Sequence, residues 1–217
     1  MIYKFFDTDS LDEAATAKYY PLLSDTRKKI IASMPSAKER SIAFCSEIIA
    51  RQCLNEMFHA PDFSFKLLLS PNGKSAVGNF DAQLSLAECN GLLGCVVSRK
   101  NVGMTLLTAD WFSFNELQKL LTDTELRDVF SYSRYTYTEL LTKQSLDEKN
   151  VCIRAATYLA LKHSYFKTKG QILNRNFLAV EFSVSQNEIT CSDPAVIAEN
   201  ADYIENKNIV YAVTEER

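Results

Sequence analysis

The sequence predicts an α+β fold, because helical and strand-rich segments alternate twice along the chain. Two long amphipathic helices, one beginning near Ser36 and one near Leu146, are each followed by short β-like segments. This order divides the 217 residues into two halves, 1–109 and 110–217. We therefore expect two similar α+β halves in a pseudo-twofold arrangement, although no sequence repeat relates them.

The first half contains the clearest helix signal of the chain. After an aromatic strand over residues 1–8 and helix-like segments to about residue 33, Ser36 and Glu39 have capping-box spacing. The apolar positions that follow recur at helical intervals: Ile42, Cys45, Ile49, Cys53 and Met57. Four β-like segments come next, at 63–69, 80–85, 92–98 and 102–108. Asn72-Gly73 predicts a hairpin, and Lys100-Asn101 predicts a tight turn.

The second half repeats the order of the first. Residues 110–131 predict a helix, and residues 132–145 have no clear period. The second long helix opens near Leu146 and should end at Gly170. Its apolar stripe contains Cys152, Ala156, Leu159, His163 and Phe166. The tail from residue 177 reads as strands, of which the last covers residues 209–213.

Composition excludes several classes of function. The chain has 24 basic and 27 acidic residues, a net charge of −3, which argues against nucleic acid as a partner. It lacks a run of about 18 apolar residues, so we expect no membrane-spanning helix. Six cysteines without a C-x-x-C pair, with only two histidines, argue against structural zinc. They are typical of reduced thiols in a cytoplasmic protein.

Common catalytic motifs are missing from the sequence. It contains no G-x-S-x-G elbow, no phosphate loop, no G-x-G-x-x-G and no H-E-x-x-H. His59 and His163 both lie on apolar helical stripes, where a core or boundary position is the ordinary interpretation. Composition and periodicity alone therefore predict an α+β globular protein and no particular chemistry.

A more informative pattern consists of four segments in a fixed order. The first is the helix from Glu39 to Arg51, which precedes a strand. The second is Gly-Lys-Ser at 73–75. The third is Gln-Leu-Ser-Leu-Ala at 83–87, whose next strand runs into Val-Gly-Met-Thr-Leu-Leu at 102–107. The fourth is Leu-Ala-Leu-Lys-His-Ser-Tyr-Phe-Lys-Thr-Lys-Gly at 159–170.

These segments together resemble the surfactin-type phosphopantetheinyl transferases of the holo-acyl-carrier-protein synthase superfamily. That family reads Gly-Lys-Pro, then Asn-Leu-Ser-His-Ser, then Val-Gly-Val-Asp-Ile-Glu, then Trp-Thr-x-Lys-Glu-Ala-Tyr-x-Lys-x-x-Gly. The resemblance covers nearly the whole chain with the expected spacing, and its fourth segment is the most specific.

The resemblance implies a transferase that moves the phosphopantetheine arm of coenzyme A onto a serine of an acyl or peptidyl carrier protein. It implies coenzyme A in a cleft between the two halves, with magnesium on the pyrophosphate. The residues that it assigns to coenzyme A are Arg51, Lys74, Ser85, Lys162 and Lys167. Lys162 and His163 occupy the catalytic segment. Cations and a hydroxyl suit phosphate groups.

The three acidic metal ligands of the family are absent, however. Their positions hold Thr105, Leu107 and His163. The family histidine is Leu86, and the Trp-Thr pair is Leu159-Ala160. Because a hard cation prefers oxygen ligands, we expect no magnesium site and a degenerate active site. An opposite-charge contact is worth about 4 kcal/mol at an effective dielectric of about 20, so its loss would slow transfer about a thousandfold.

Three functions stay open from the sequence. The first is a working transferase whose metal site is built differently, with Asp110 or Glu88 as replacement oxygen donors. The second is a pseudoenzyme that binds coenzyme A, a carrier protein or another protein partner. The third, which sets the resemblance aside, is an unrelated α+β interaction module. Binding of coenzyme A and modification of carrier proteins would distinguish them.

Overall fold

A computed structural model describes residues 1–11, 13–60, 65–69, 75–110, 112–136, 139, 148–171, 175–186 and 188–217. The chain divides into two compact units, Met1–Lys100 and Asn101–Arg217. Helices and antiparallel sheets occur in both units, which confirms the predicted α+β class. Lys74 and the Asn72-Gly73 turn lie outside the described residues.

Unit 1 is built on a five-stranded antiparallel sheet. Its strands are β1 (Ile2–Asp7), β2 (Leu67–Leu69), β3 (Ser75–Val77), β4 (Gln83–Cys89) and β5 (Leu92–Ser98). Their order in the sheet is β1-β5-β4-β3-β2. The first strand pairs with the last, with Ile2 opposite Val97, so the sheet joins the two ends of the unit.

The helices of unit 1 lie between β1 and β2 in the chain. They are α1 (Glu13–Tyr19), α2 (Asp25–Ala32) and α3 (Ala37–Phe58), with 3₁₀ turns at Thr8–Ser10 and Tyr20–Leu22. The predicted capping box opens α3: Ser36 Oγ accepts from the Glu39 amide, and Glu39 accepts from the Ser36 amide. The apolar face of α3 packs on β4 and β5, where Ile49, Cys53, Leu54, Leu84 and Cys95 are buried together.

Unit 2 contains a three-stranded antiparallel sheet and a separate hairpin. Its strands are β6 (Val102–Thr108), β7 (Phe182–Val184), β8 (Ile189–Cys191), β9 (Val196–Ile204) and β10 (Ile209–Glu216). The sheet order is β6-β10-β9, and β7 pairs with β8. Short 3₁₀ turns lie at Phe177–Ala179 and Glu205–Lys207.

The helices of unit 2 are α4 (Phe114–Leu120), α5 (Asp123–Phe130) and α6 (Lys149–Thr168). Residues 110–131, which the sequence predicts to be helical, therefore contain two helices and not one continuous helix. Thr122 separates them, because its backbone is extended and its hydroxyl accepts from the Glu125 amide to start α5. The second long helix is confirmed as α6, and Gly170 beyond it has a positive φ of 67°.

The boundary between the units falls after Lys100, whereas the sequence-based division places it after residue 109. The two boundaries differ because β6 pairs with β10 and therefore belongs to unit 2; Gly103 of β6 lies opposite Thr214 of β10. The expected turn at Lys100-Asn101 is thus no hairpin, since β5 pairs with β1 and β4. These long-range pairings leave no local signal in the sequence.

A close backbone contact joins α6 to β6 at Gly103. A Cβ atom built on Gly103 would lie 2.0 Å from the Ser164 carbonyl oxygen, so only glycine fits. Beside it, Ser164 Oγ donates to the Gly103 carbonyl at 2.8 Å, and Thr168 and Thr214 share a hydrogen bond of 2.7 Å. The α6-facing side of β6 therefore carries residues 103, 105 and 107.

The described residues form no disulfide and no membrane-spanning helix. No disulfide joins any of the six cysteines, all of which lie within the described ranges. Across those same ranges, every helix is either too short or too polar to cross a bilayer.

Candidate functional site

The predicted site residues of unit 2 lie on one helix, but they face two directions. His163 and Lys167 are four residues apart on α6, so they lie on the same side of the helix. Lys162 is one residue away from His163 and points into the core. The two directions give these residues different partners.

His163 contacts an arginine that follows α6. The distance between His163 Nδ1 and Arg175 Nη1 is 2.5 Å, and the imidazole meets the Phe177 ring edge-on at a centroid distance of 4.8 Å. Burial, followed by the charges of Arg175 and Lys167, lowers the pKa of His163 to about 4. The imidazole is therefore neutral at pH 7 and accepts a hydrogen bond from the guanidinium.

The charge of Arg175 also acts on Lys167. Its Nζ donates to the Met104 carbonyl oxygen of β6 at 2.7 Å. Burial, followed by the charge of Arg175, lowers the pKa of Lys167 to about 8. A lysine with this pKa is still mainly protonated at pH 7, and a nearby anion would restore its ordinary basicity. We call His163, Lys167 and Arg175 the basic cluster.

Lys162 is a fully buried anchor. Its ammonium lies 2.7 Å from Glu125 Oε2 and donates to the carbonyls of Phe177 at 2.6 Å and Val180 at 2.8 Å. An ammonium has three donors, and here three oxygens take them. Burial is the largest cause of its lowered pKa, which the Glu125 carboxylate opposes. In this arrangement Lys162 holds the chain after Arg175 against α6, and a contact to coenzyme A would require that it leave these partners.

Glu125 completes this anchor from α5. Glu125 Oε1 accepts from the Phe182 amide at 2.9 Å, and Oε2 accepts from the Thr122 amide at 2.8 Å. One buried carboxylate therefore joins α5, α6 and the start of β7. The Lys162–Glu125 pair and its backbone partners fix the place at which Arg175 meets His163.

Thr105 contributes an unusual hydroxyl to the α6-facing side of β6. It is 5% exposed, and within the described residues its Oγ1 has no hydrogen-bond partner. It directly follows Met104, whose carbonyl accepts from Lys167. Leu107, two residues further along this face, is half-buried and packs against the apolar core of unit 2.

Magnesium, which the resemblance implies, does not fit these donors. A magnesium ion requires an octahedral shell of oxygen ligands with negative charge nearby. Thr105 offers one neutral hydroxyl, Leu107 offers no donor, and the His163 ring contacts a guanidinium. Among the residues that the structure describes, no three His, Cys, Asp or Glu side chains are grouped as metal ligands would be.

The two carboxylates considered as replacement donors are engaged in local turns. Asp110 Oδ1 accepts from Asn208 Nδ2 at 3.0 Å within unit 2. Glu88 Oε1 accepts from the Gly91 amide at 3.1 Å within unit 1. Both contacts are typical of surface turns at strand ends.

The predicted site residues of unit 1 lie in two places. Arg51 Nε and Nη2 donate to Glu47 Oε1 at 3.0 and 2.5 Å, and Arg51 Nη1 donates to the Phe65 carbonyl. Glu47 also pairs with Arg27 at 3.2 Å. Ser85 is buried in β4 opposite Val96.

Sequence reasoning missed Arg175, Glu125 and Glu47. Arg175 follows α6 in a stretch without periodicity, so nothing in the sequence points to it. Glu125 was detectable, since Thr122-x-x-Glu125 is a capping-box pattern inside the segment predicted to be helical. Glu47 lies four residues before Arg51 on α3, the spacing of a helical ion pair.

No protein-family model matches the chain, and no curated protein matches it.

Proposed function

We propose that the protein is a phosphopantetheinyl transferase-like protein that binds coenzyme A and transfers its phosphopantetheine arm poorly or not at all. The observation that carries this proposal is the basic cluster at the C-terminal end of α6 and in the chain that follows it. The fourth segment of the resemblance supplies two of its members, His163 and Lys167, and the fold adds Arg175. Coenzyme A carries a pyrophosphate and a 3′-phosphate, which such cations bind well.

Slow transfer follows from the residues at the former metal positions. The family reaction breaks a bond to phosphorus, and negative charge accumulates on the leaving adenosine 3′,5′-bisphosphate. Thr105 and Leu107 bring no carboxylate to hold a divalent ion there, and His163 with its lowered pKa is a weak base at pH 7. Efficient deprotonation of a carrier serine then has no supporting group among these positions.

We propose that the two units are related by a pseudo-twofold axis with coenzyme A in the cleft between them. In support, each unit has a long helix packed on an antiparallel sheet, α3 in one and α6 in the other. An acyl or peptidyl carrier protein is the proposed partner, in the cytoplasm.

Calorimetry of the full chain tests the binding part. We expect coenzyme A to bind in buffer that contains EDTA, and pantetheine, which has no phosphate, to bind at least tenfold more weakly. Lys167→Gln should weaken coenzyme A binding at least tenfold. Lys119→Gln, an exposed lysine on α4 of the same unit, should change it less than twofold. A chain that binds neither compound contradicts the proposal.

Mass spectrometry of carrier proteins tests the transfer part. The chain, coenzyme A, magnesium or manganese, and a set of apo carrier proteins are incubated together, and the added phosphopantetheine mass is followed in time. We expect turnover at least about a thousandfold below that of an efficient transferase assayed on the same carriers. Turnover within tenfold of that enzyme would establish the working transferase instead.

A further inference from the structure

We infer that the outer edge of β9 and the tip of the β7–β8 hairpin form a docking site for an extended basic segment of a partner protein. The segment adds a strand to β9 and places its lysine or arginine side chains near Glu188 and Glu199. All the residues that form this site belong to unit 2. The inference goes beyond the proposed function, because neither coenzyme A nor a phosphate group takes part in it.

The first support is the open edge of β9. This strand is the last of the order β6-β10-β9, and β8 pairs with β7 and not with β9. The Tyr203 amide donates to Asp202 Oδ1 at 2.7 Å, so it faces away from β10. Alternate residues of an antiparallel strand turn their backbone groups to the same side, so those of Ala201 face outward too. No hydrogen bond to the outward-facing Ala201 amide occurs among the described residues.

The second support is a groove beside this edge. Residues 198–201 of β9 form one wall, and residues 184–186 and 188–189 of the hairpin form the other. Its volume of about 390 Å³ lies in the range of binding pockets, about 300–1,000 Å³. Hydrogen bonds fix the hairpin wall, since the Ser185 amide donates to the Glu188 carbonyl at 2.9 Å and Arg154 donates to the Val184 carbonyl. A strand placed along β9 therefore meets a positioned second wall.

The third support is the charge of this region. Residues 181–217 include eight acidic and two basic side chains. Lysines at the two ends of α6 pair with three of the acidic ones: Asp193, Glu205 and Glu216. Glu188 and Glu199 line the groove and are exposed, and within the described ranges no basic group is in ion-pair contact with either. A segment rich in lysine or arginine is the complementary occupant.

The same features disfavour a second copy of the chain as the occupant. Residue 199 has no partner on β10, because the register shifts between Val213 and Thr214. Such a bulge and exposed charges on an edge strand oppose pairing with an identical edge, where Glu199 and Asp202 would meet their own copies. A basic strand turns this repulsion into attraction while it satisfies the open backbone groups.

Three end-blocked octapeptides test the inference on the full chain. The first alternates lysine and valine, and the second alternates glutamate and valine. The third has the lysine–valine sequence with an N-methyl group on every amide, which keeps the charge and removes the backbone donors. By calorimetry, the first should bind at least tenfold more tightly than either of the others, and more weakly as salt is added. By NMR, it should slow hydrogen exchange of the Ala201 amide.

Variants locate the binding on the groove. Glu199→Lys should weaken binding of the lysine–valine peptide at least tenfold, and Glu188→Gln should weaken it about threefold. Glu116→Gln removes an exposed carboxylate on α4 of the same unit and should change the affinity less than twofold. Urea titration of each variant shows whether it is folded as the parent is.

Several outcomes would overturn the inference. Equal affinity for the N-methylated peptide would exclude strand addition, and equal affinity for the glutamate–valine peptide would exclude charge recognition. Equal losses in Glu199→Lys and Glu116→Gln would exclude the groove. If the lysine–valine peptide does not bind, no basic strand docks there. Dimers of Glu199→Gln in sedimentation would then assign the acidic side chains to keeping copies of the chain apart.

Discussion

The basic side chains on the two long helices have different partners. On α3, Arg51 shares the buried carboxylate of Glu47 with Arg27 of α2. On α6, His163 and Lys167 lie with Arg175, and burial, followed by cationic neighbours, lowers the pKa of both. The first arrangement neutralises charge within the fold. The second places cationic groups close to one another.

Lys162 sharpens this comparison, because it belongs to the same helix as the cluster. Like Arg51 it has a buried carboxylate partner, Glu125, and like Arg51 it donates to backbone carbonyls. Position on α6 therefore does not decide the role of a lysine. Its burial and its hydrogen-bond partners do, and these depend on residues distant in the sequence.

Loss of a buried carboxylate should have the largest effect on stability. Glu125→Gln leaves the fully buried Lys162 ammonium without its counter-charge, and breaking such a pair costs about 3–5 kcal/mol. Glu47→Gln should cost about 2–3 kcal/mol, since Arg27 and Arg51 are slightly exposed. Urea unfolding measures both free energies of unfolding.

Two matched variants decide whether the comparison holds. The double variant Lys162→Met, Glu125→Leu removes both charges and should recover part of the stability that Glu125→Gln loses, since the backbone amides and carbonyls that the pair contacts are left without these partners. Arg175→Gln should change the free energy of unfolding by less than about 1 kcal/mol, because it loses one hydrogen bond to the neutral His163 imidazole but relieves the repulsion between Arg175 and Lys167. A loss in Arg175→Gln as large as that in Glu125→Gln would show that the cluster serves the fold.

The packing of the long helices differs as well, and Gly103 tests that difference. α3 packs on its sheet through apolar side chains such as Ile49 and Cys53, whereas α6 touches the backbone of β6 at Gly103. Gly103→Ala places a Cβ 2.0 Å from the Ser164 carbonyl oxygen, so the helix must shift. We expect a loss of about 2–3 kcal/mol in unfolding free energy.

Gly170→Ala is the control for that variant. Its Cβ would meet no atom within 4 Å, so only the positive φ of 67° opposes it, at about 1 kcal/mol. Gly103→Ala should also weaken coenzyme A binding, because the shift of α6 moves Lys167 relative to Met104. Equal stability of the two variants would mean that α6 moves away from β6 without cost.

Local patterns predicted the elements of this fold well. The capping box at Ser36 and Glu39, the apolar stripe of α3, and strands 92–98 and 102–108 all depend on neighbours in the sequence. The stop at Gly170 has the same local origin. Short-range hydrogen bonds and periodic burial cause these features, so the sequence displays them directly.

Strand pairing and charge compensation could not be predicted in the same way. No sequence pattern around Gly103 indicates that β6 pairs with β10 at the other end of unit 2. Lys162 and Lys167 looked equivalent in the sequence, and Glu125, 37 positions before Lys162, separates them. The resemblance indicated the segment in which His163 and Lys167 lie, but it gave no information on Arg175.

A change of pH should act on unit 2 through His163. Its folded pKa of about 4 lies below the ordinary value of 6.5, so between these values the unfolded chain binds more protons than the native chain. The native contribution of His163 is therefore present above pH 6.5 and is lost as pH falls through 4. Burial, Arg175 and Lys167 are the causes, and the Phe177 ring adds no compensating charge.

His163→Gln isolates this contribution from that of the carboxylates, which titrate in both proteins. The difference in unfolding free energy between parent and variant should shrink by about 2 kcal/mol from pH 7 to pH 4.5. Sulfate should reduce that shrinkage in the parent, since an anion among His163, Lys167 and Arg175 stabilises the protonated imidazole. Parallel curves for the two proteins would mean that His163 titrates as an exposed histidine does, and the basic cluster would then lack the burial on which anion binding there depends.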